Sequence, residues 1–224
     1  MNREKILQSK RNYYRKQRLR CLKYYSVGDV PCCEICSESF IEFLAIDHKY
    51  GHGKDHRREV GGGTKFCSWL IKNNFPDGYR ILCHNCNLKY RDNTNCVRKT
   101  VYVGKLSQTP NAIARRKYTS KNREKMCTYA KVYRDKLKHQ AIEQYGGCCA
   151  CCHINDFECL SIDHVGKDGS EHRKIIGNGA VIYRWLRNNN YPNGFRVLCM
   201  NCNIAFGSYG YCPHNHHQNT LIMS

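Results

Sequence analysis

The chain has 224 residues, and its 41% hydrophobic content excludes a wholly disordered protein. Its 37 lysines and arginines against 18 aspartates and glutamates give a formal charge of +19, which indicates a polyanionic partner such as nucleic acid. No apolar run could span a membrane and no secretory signal begins the chain, so we expect no membrane partner and an intracellular location, in the cytoplasm or nucleoid. In that reducing setting the 17 cysteines indicate metal ligands rather than disulfides.

The sequence contains one module twice. Asp47-His48 recurs as Asp163-His164, 116 residues later. Aligning residues 32–90 with 148–206 gives 25 identities in 59 positions. So many identities at a constant offset indicate an internal duplication.

The charge is distributed unevenly around the two modules. Residues 32–87 carry 0 and 148–206 carry +1, whereas 1–31, 88–109 and 110–147 carry +7, +4 and +7. We predict an α+β fold in which two small zinc-stabilised modules are joined by long basic helices. In chain order the segments are a basic helix (1–31), the first module (32–96), a linker (97–109), a basic helix (110–147), the second module (148–212) and a tail (213–224).

The connecting segments have helix-forming compositions. Thr109-Pro110 is a typical helix start and Gly146-Gly147 a typical stop, with a segment between them that is long enough for two helices. Basic residues and tyrosines alternate along both segments, which suits contact with phosphates; the alternative is a solvated helix whose tyrosines pack on the module. The candidate phosphate-binding residues are Arg15, Arg18, Arg115, Arg116, Lys117, Arg123 and Arg134.

Each module contains two Cys-x-x-Cys pairs. Two such pairs typically form a tetrahedral zinc site, because each makes a turn that aims both sulfurs at one ion. We predict two structural zinc ions, with ligands Cys33, Cys36, Cys83 and Cys86 in the first module and Cys149, Cys152, Cys199 and Cys202 in the second. The adjoining Cys32, Cys148 and Cys151 could shift this register. Cys212, near His214, leaves open either a further ion or a packed thiol beside a solvated tail.

Between the cysteine pairs lies a predicted strand that ends in Asp-His. Leu44–His48 alternates large apolar with small residues, as half-buried strands do. A second strand is predicted at Tyr79–Leu82, after the turn at Pro76-Asp77-Gly78, and Asn87 follows where a helix should begin. Carboxylate and amide oxygens suit magnesium, and a neighbouring imidazole can deprotonate water.

These motifs resemble the HNH, or ββα-metal, nucleases, and within them the phage endonuclease VII-like branch. That branch ends its second strand in LC-x-x-CN, as Leu82–Asn87 and Leu198–Asn203 do here. The resemblance covers each module and does not extend to the basic helices. It implies a ββα-metal fold and a catalytic magnesium or manganese ion, with the metal ligands and general base at Asp47, Asn87 and His48, and again at Asp163, Asn203 and His164.

One position departs from the family pattern. The middle asparagine of that pattern falls on Gly78 and Gly194, so the sequence does not identify the residue that orients the general base. Asn73-Asn74 and Asn189-Asn190 follow predicted helices and are interpreted as C-terminal caps.

Arg57 and Arg173 follow the first strand of each module in a glycine-bearing loop. They suit a bidentate grip on a phosphate, with a salt bridge to Asp55 or Glu171 as the equally weighted alternative. Together the residues predict a metal-dependent endonuclease that hydrolyses phosphodiester bonds, in DNA in preference to RNA, with the tandem modules as an internal pseudo-dimer. The alternative is a non-catalytic, zinc-dependent nucleic-acid-binding protein of a larger assembly or a regulator.

Overall fold

A computed structural model describes residues 3–90, 107–166, 168–177 and 179–215. The predicted end of the first module at Cys96, most of the predicted linker and the end of the tail lie outside the described residues. The chain is a mixed α+β protein with two small antiparallel sheets, one in each copy of the repeat. This confirms the predicted fold class at the level of α+β.

The first half contains both predicted strands, but the predicted glycine-bearing loop that holds Arg57 is a helix, and the same correction applies to Arg173 in the second half. The elements of the first half are α1 (Arg3–Tyr25), a 3₁₀ turn (Ile41–Phe43), β1 (Leu44–His48), α2 (Gly53–Val60), α3 (Thr64–Lys72), β2 (Tyr79–Cys83) and α4 (His84–Lys89). β1 and β2 pair antiparallel, with Leu44 opposite Cys83 and His48 opposite Tyr79. The alternation along β1 therefore placed both ends of this strand correctly.

The second half repeats these elements after two helices. They are α5 (Pro110–Lys121), α6 (Arg123–Gln144), β3 (Leu160–His164), α7 (Gly169–Ile176), α8 (Ala180–Asn188), β4 (Phe195–Cys199) and α9 (Met200–Tyr209). The predicted start at Thr109-Pro110 is confirmed, and so is the stop, because α6 ends just before Gly146 and Gly147, which have φ of 103° and 72°. The basic segment breaks into two helices at Asn122, whose side-chain amide donates to the Tyr118 carbonyl at 2.9 Å.

The described chain divides into two compact units. The first contains residues 3–90, 149–161 and 198–215, and the second contains 107–148, 162–166, 168–177 and 179–197. In the first unit, α1 packs on α3, where Cys21 and Leu70 are fully buried. Within the same unit, the amide oxygen of Asn85 accepts from the backbone N–H of Asn201 at 2.9 Å, and the amide oxygen of Asn201 accepts from the N–H of Asn85 at 2.9 Å.

In the second unit, α6 packs on α8, and Leu137, Ala141, Ile142 and Leu186 are buried. Each helix that precedes a module is attached to its own module by the same kind of bond. The Tyr25 hydroxyl donates to the Pro76 carbonyl at 2.8 Å, and the Tyr145 hydroxyl donates to the Pro192 carbonyl at 2.7 Å. The module-bound ends of the basic helices therefore belong to the repeated unit.

Candidate metal centres and the Asp-His sites

Four cysteines of the first module converge as the spacing predicts. Cys33 and Cys36 lie on a loop, Cys83 ends β2, and Cys86 lies in the first turn of α4. Their sulfurs all lie within 4.8 Å of one another, and Cys36 Sγ is 3.7 Å from Cys83 Sγ. A tetrahedral zinc with Zn–S bonds of about 2.3 Å holds its sulfurs about 3.8 Å apart. This donor set fits zinc.

The second module repeats this arrangement. The sulfurs of Cys149, Cys152, Cys199 and Cys202 lie within 4.8 Å of one another, and the Cys152–Cys199 separation is 3.7 Å. No disulfide occupies the thiols of either four-cysteine group. The chain therefore has two four-cysteine groups that could each hold a structural zinc ion.

A common backbone turn aims the first two sulfurs of each group. In the first module the N–H of Ser37 donates to the Cys33 carbonyl at 2.9 Å, and in the second the N–H of His153 donates to the Cys149 carbonyl at 2.9 Å. Ser37 and His153 both have a φ of 59°, in the left-handed region. Residues at equivalent positions, both in the left-handed region, therefore close the two turns. The repetition of this turn agrees with the ligand register chosen from the sequence.

The antiparallel strands and α4 bring two predicted site residues of the first module together. Asp47 lies opposite Arg80, whose Nε donates to Asp47 Oδ2 at 3.0 Å. The other carboxylate oxygen, Oδ1, is 3.5 Å from the amide nitrogen of Asn87 on α4. His48 is the next residue of β1, and because successive side chains of a strand point to opposite faces, its ring contacts a different set of residues.

The imidazole of His48 is fixed through one nitrogen. Its Nε2 is 3.0 Å from Nδ1 of His56 on α2, and its ring stacks on Phe66 with ring centroids 5.3 Å apart. His56 in turn lies 3.3 Å from the Tyr79 hydroxyl. His56 and Phe66 therefore hold the His48 ring in one orientation.

The other nitrogen of His48 faces a glycine. A Cβ on Gly53 would lie 2.7 Å from His48 Nδ1, so any side chain there would collide with the ring. In the second module a Cβ on Gly169 would lie 2.8 Å from His164 Nδ1. The glycines that open α2 and α7 therefore let the backbone approach these nitrogens closely.

The electrostatic surroundings favour neutral imidazoles. Burial lowers the pKa of His48 below the ordinary value of 6.5, and the nearby His56 and Arg57 lower it further. Burial likewise lowers the pKa of His164. A neutral ring at pH 7 is the form that can accept a proton.

The second copy repeats the contacts of the acid and the histidine. Arg196 Nε donates to Asp163 Oδ2 at 2.9 Å, and Nε2 of His164 is 2.8 Å from Nδ1 of His172. Asn203 lies in the first unit, where its amide nitrogen donates to the Ser161 hydroxyl at 3.0 Å.

Two features of this site were missed or only partly found from the sequence. The pairing of the two histidines and the ion pairs made by Arg80 and Arg196 were not predicted. The available signal was their recurrence at the repeat offset, since His56 and His172 are identical across the two copies. Trp69 packs on His56 at a centroid distance of 4.4 Å, so the tryptophan supports the site as well as the core.

The interpretation of the asparagines after α3 and α8 is confirmed. Asn73 and Asn189 are the C-cap residues, and their amides donate to the carbonyls of Trp69 and Trp185 at 2.8 Å.

The predicted phosphate-contacting arginines of the modules are exposed. The neighbouring acids Asp55 and Glu171 pair with Arg58 at 3.1 Å and with Lys174 at 2.7 Å. These acids therefore bind the next basic residue rather than Arg57 and Arg173, whose side chains lie on the surface of α2 and α7.

The predicted basic residues of the long helices differ in their surroundings. Those at the surface are Arg15, Arg115, Lys117, Arg123 and Arg134. Arg116 is partly buried and donates to the Ser107 carbonyl at 2.7 Å. Arg18 donates to the carbonyls of Ile41 and Leu44 at 2.9 and 2.6 Å, so its guanidinium links α1 to the start of β1.

Comparisons with known proteins identify no relative: no family model, curated protein or solved structure matches the chain. Among the described helices, none has the length and apolar character needed to cross a membrane. Any function assigned to the chain therefore depends on the chemistry and geometry of its own residues.

Proposed function

We propose that the protein is a metal-dependent endonuclease of the HNH type, with a ββα-metal site in each module. The observation that carries the proposal is that an identical acid–histidine arrangement occurs twice. In both modules a strand ends in Asp-His, an arginine binds one oxygen of the acid, and a second histidine holds the first through Nε2.

His48 has the features of a general base. Its Nε2 is engaged by His56 at 3.0 Å, and its Nδ1 lies beside Gly53. If a water molecule gave a proton to Nδ1, its oxygen could bond to a phosphorus atom while the bond from phosphorus to the leaving oxygen breaks. His56 then stabilises the protonated ring, because a partner on one nitrogen fixes which of the two carries the proton.

Asp47 and Asn87 are the proposed ligands of a catalytic magnesium or manganese ion. Asp47 Oδ1 is not the oxygen that binds Arg80, and a half-turn of the Asn87 amide would present its oxygen instead of the nitrogen that is 3.5 Å away. Two oxygen ligands suit magnesium, which keeps several waters and binds substrate phosphate directly. When bound, such an ion stabilises the charge that develops on the phosphate and its leaving oxygen. In the second module, Asp163 is the corresponding candidate ligand.

The proposed substrate is DNA, bound through the basic helices. Exposed arginines and lysines of α5 and α6 offer charges to phosphates, and the tyrosines between them are solvent-accessible, with Tyr118 63% and Tyr129 65% exposed. Arg57 and Arg173 are the proposed phosphate contacts nearest to the scissile bond. With one catalytic set in each module, the tandem pair would act as an internal pseudo-dimer that addresses both strands.

The test is cleavage of a supercoiled plasmid in magnesium or manganese. We expect nicking by the parent chain and its loss in the double variant His48→Ala plus His164→Ala. The control is His52→Asn, which changes an exposed histidine four residues away and keeps a residue type that tolerates its φ of 60°. Zinc content should be unchanged in both variants. Equal cleavage by the double variant and the parent would refute the assignment.

One observation favours the alternative of a non-catalytic binding protein. Each proposed metal-binding acid is already paired with an arginine, Asp47 with Arg80 and Asp163 with Arg196. In that reading the zinc modules are scaffolds and the helices hold nucleic acid. It predicts salt-sensitive DNA binding with no cleavage in any divalent metal, so the same plasmid assay, run beside a binding assay, separates the two functions.

A further inference from the structure

The second module contains a second cluster of four ligand atoms, three of which lie outside its four-cysteine group. Cys151, Cys202, Cys212 and His214 place their ligand atoms within 4.8 Å of one another. Cys202 also belongs to the four-cysteine group formed with Cys149. We propose that the second module binds two zinc ions, which share the Cys202 thiolate as a bridge.

The distances within this cluster fit a tetrahedral ion with three sulfurs and one nitrogen. Cys212 Sγ is 3.6 Å from Cys202 Sγ, and His214 Nδ1 is 3.4 Å from Cys202 Sγ and 3.6 Å from Cys212 Sγ. Bonds of about 2.3 Å to sulfur and about 2.0 Å to nitrogen place a sulfur and a nitrogen about 3.5 Å apart. Cys202 and Cys212 are almost wholly buried, at 0% and 1% exposed.

The sequence of the repeat supports the proposal independently. At the 116-residue offset, Cys151 replaces Ile35, and His214 replaces Arg98. The second module has therefore gained ligand types at two positions where the first has an apolar and a basic residue. Chance substitution would not be expected to place both new ligands around one buried thiol pair.

The charge balance permits a second ion in this buried place. A four-thiolate zinc site carries 2 − 4 = −2. A second zinc with two additional thiolates and a neutral imidazole contributes 2 − 2 = 0, so the local charge stays at −2. The second ion therefore costs no additional buried charge.

The proposed ion would hold the residues after α9 against the 3₁₀ turn of the first unit. The His214 ring lies against Phe43 with centroids 4.9 Å apart, and the Tyr211 hydroxyl donates to Glu42 Oε1 at 2.6 Å. Both contacts lie within the first unit, next to the 3₁₀ turn that leads into β1. The bridged cluster would thus hold residues 211–215 in place.

The test is zinc stoichiometry of the full chain by elemental analysis and native mass spectrometry. We expect three zinc ions per chain, and two in the double variant Cys212→Ser plus His214→Gln. The control Cys148→Ser removes an adjacent thiol outside both groups and should keep three. Two ions in the parent, or three in the double variant, would overturn the proposal.

A second measurement is made first on the parent chain, so its result does not depend on whether the double variant folds. With zinc replaced by cadmium-113, the bridging sulfur should couple two of the three cadmium resonances to each other. Two resonances without mutual coupling would show that the two clusters are not bridged. A cadmium coupling that persists in the double variant would exclude Cys212 and His214 as ligands.

Discussion

His48 is defined as much by what is missing beside it as by what binds it. His56 holds one ring nitrogen, and the backbone of Gly53 lies close to the other, where any side chain would collide with the ring. Neither relation follows from a sequence motif, because both depend on how α2 folds back on β1. The identity of these residues across the repeat is the sequence signal that can be read after the structure is known.

The first prediction concerns these glycines. Gly53→Ala together with Gly169→Ala should lower plasmid nicking by about 100-fold, because displacing a catalytic group by about 1 Å has effects of that size. The added methyl groups would lie 2.7 and 2.8 Å from the Nδ1 atoms of His48 and His164. Nicking rate, with the imidazole signals in nitrogen-15 spectra as a second readout, measures the effect.

The control for this prediction is Gly62, which lies between α2 and α3. Gly62 has nothing within 4 Å of an added Cβ and lacks a positive φ, so Gly62→Ala should leave both the nicking rate and the imidazole signals unchanged. Full nicking activity and unshifted imidazole signals in the Gly53→Ala plus Gly169→Ala variant would contradict this prediction.

At the scale of elements, local patterns predicted the strands and helix ends well. Alternation found β1, and proline and paired glycines found the bounds of the basic helices. The patterns did not reveal how α1 and α6 attach to their modules. Tyr25 and Tyr145 are 120 residues apart whereas Pro76 and Pro192 are 116 apart, so the connecting loop differs in length and hides the equivalence.

The second prediction tests this attachment. Tyr25→Phe and Tyr145→Phe should each lower the free energy of unfolding by about 1 kcal/mol, because each removes a partly buried hydrogen bond without changing the packed ring. Urea unfolding at fixed zinc concentration measures the loss.

Tyr13→Phe is the matched control on α1. Tyr13 is 56% exposed and its ring contacts the neighbouring Tyr14, so its variant should unfold at the parent's urea midpoint. Equal midpoints for Tyr25→Phe and the parent would mean that the bond to Pro76 contributes nothing to stability.

For the whole molecule, the sequence predicted the four-cysteine groups better than the residues that surround them. Cys-x-x-Cys spacing fixes its two sulfurs locally, which is why both four-cysteine groups were found. The cluster around Cys202 forms only when α9 and the residues that follow it lie close to Cys151. That approach depends on tertiary structure, which local spacing does not reveal. For the same reason the partners of Asp47 and Asp163 emerged only from the strand register.

The last prediction concerns where the charge acts. If α5 contacts DNA phosphates, Arg115→Gln plus Lys117→Gln should weaken binding and reduce the slope of log affinity against log salt by about 1.8, since each lost phosphate contact removes about 0.9. Both side chains are exposed on a helix outside the almost neutral modules. Lys65→Gln plus Lys72→Gln removes the same charge from α3 and should change the slope little. Equal slopes for the two double variants would show that the excess charge acts as a diffuse field rather than through contacts made by α5.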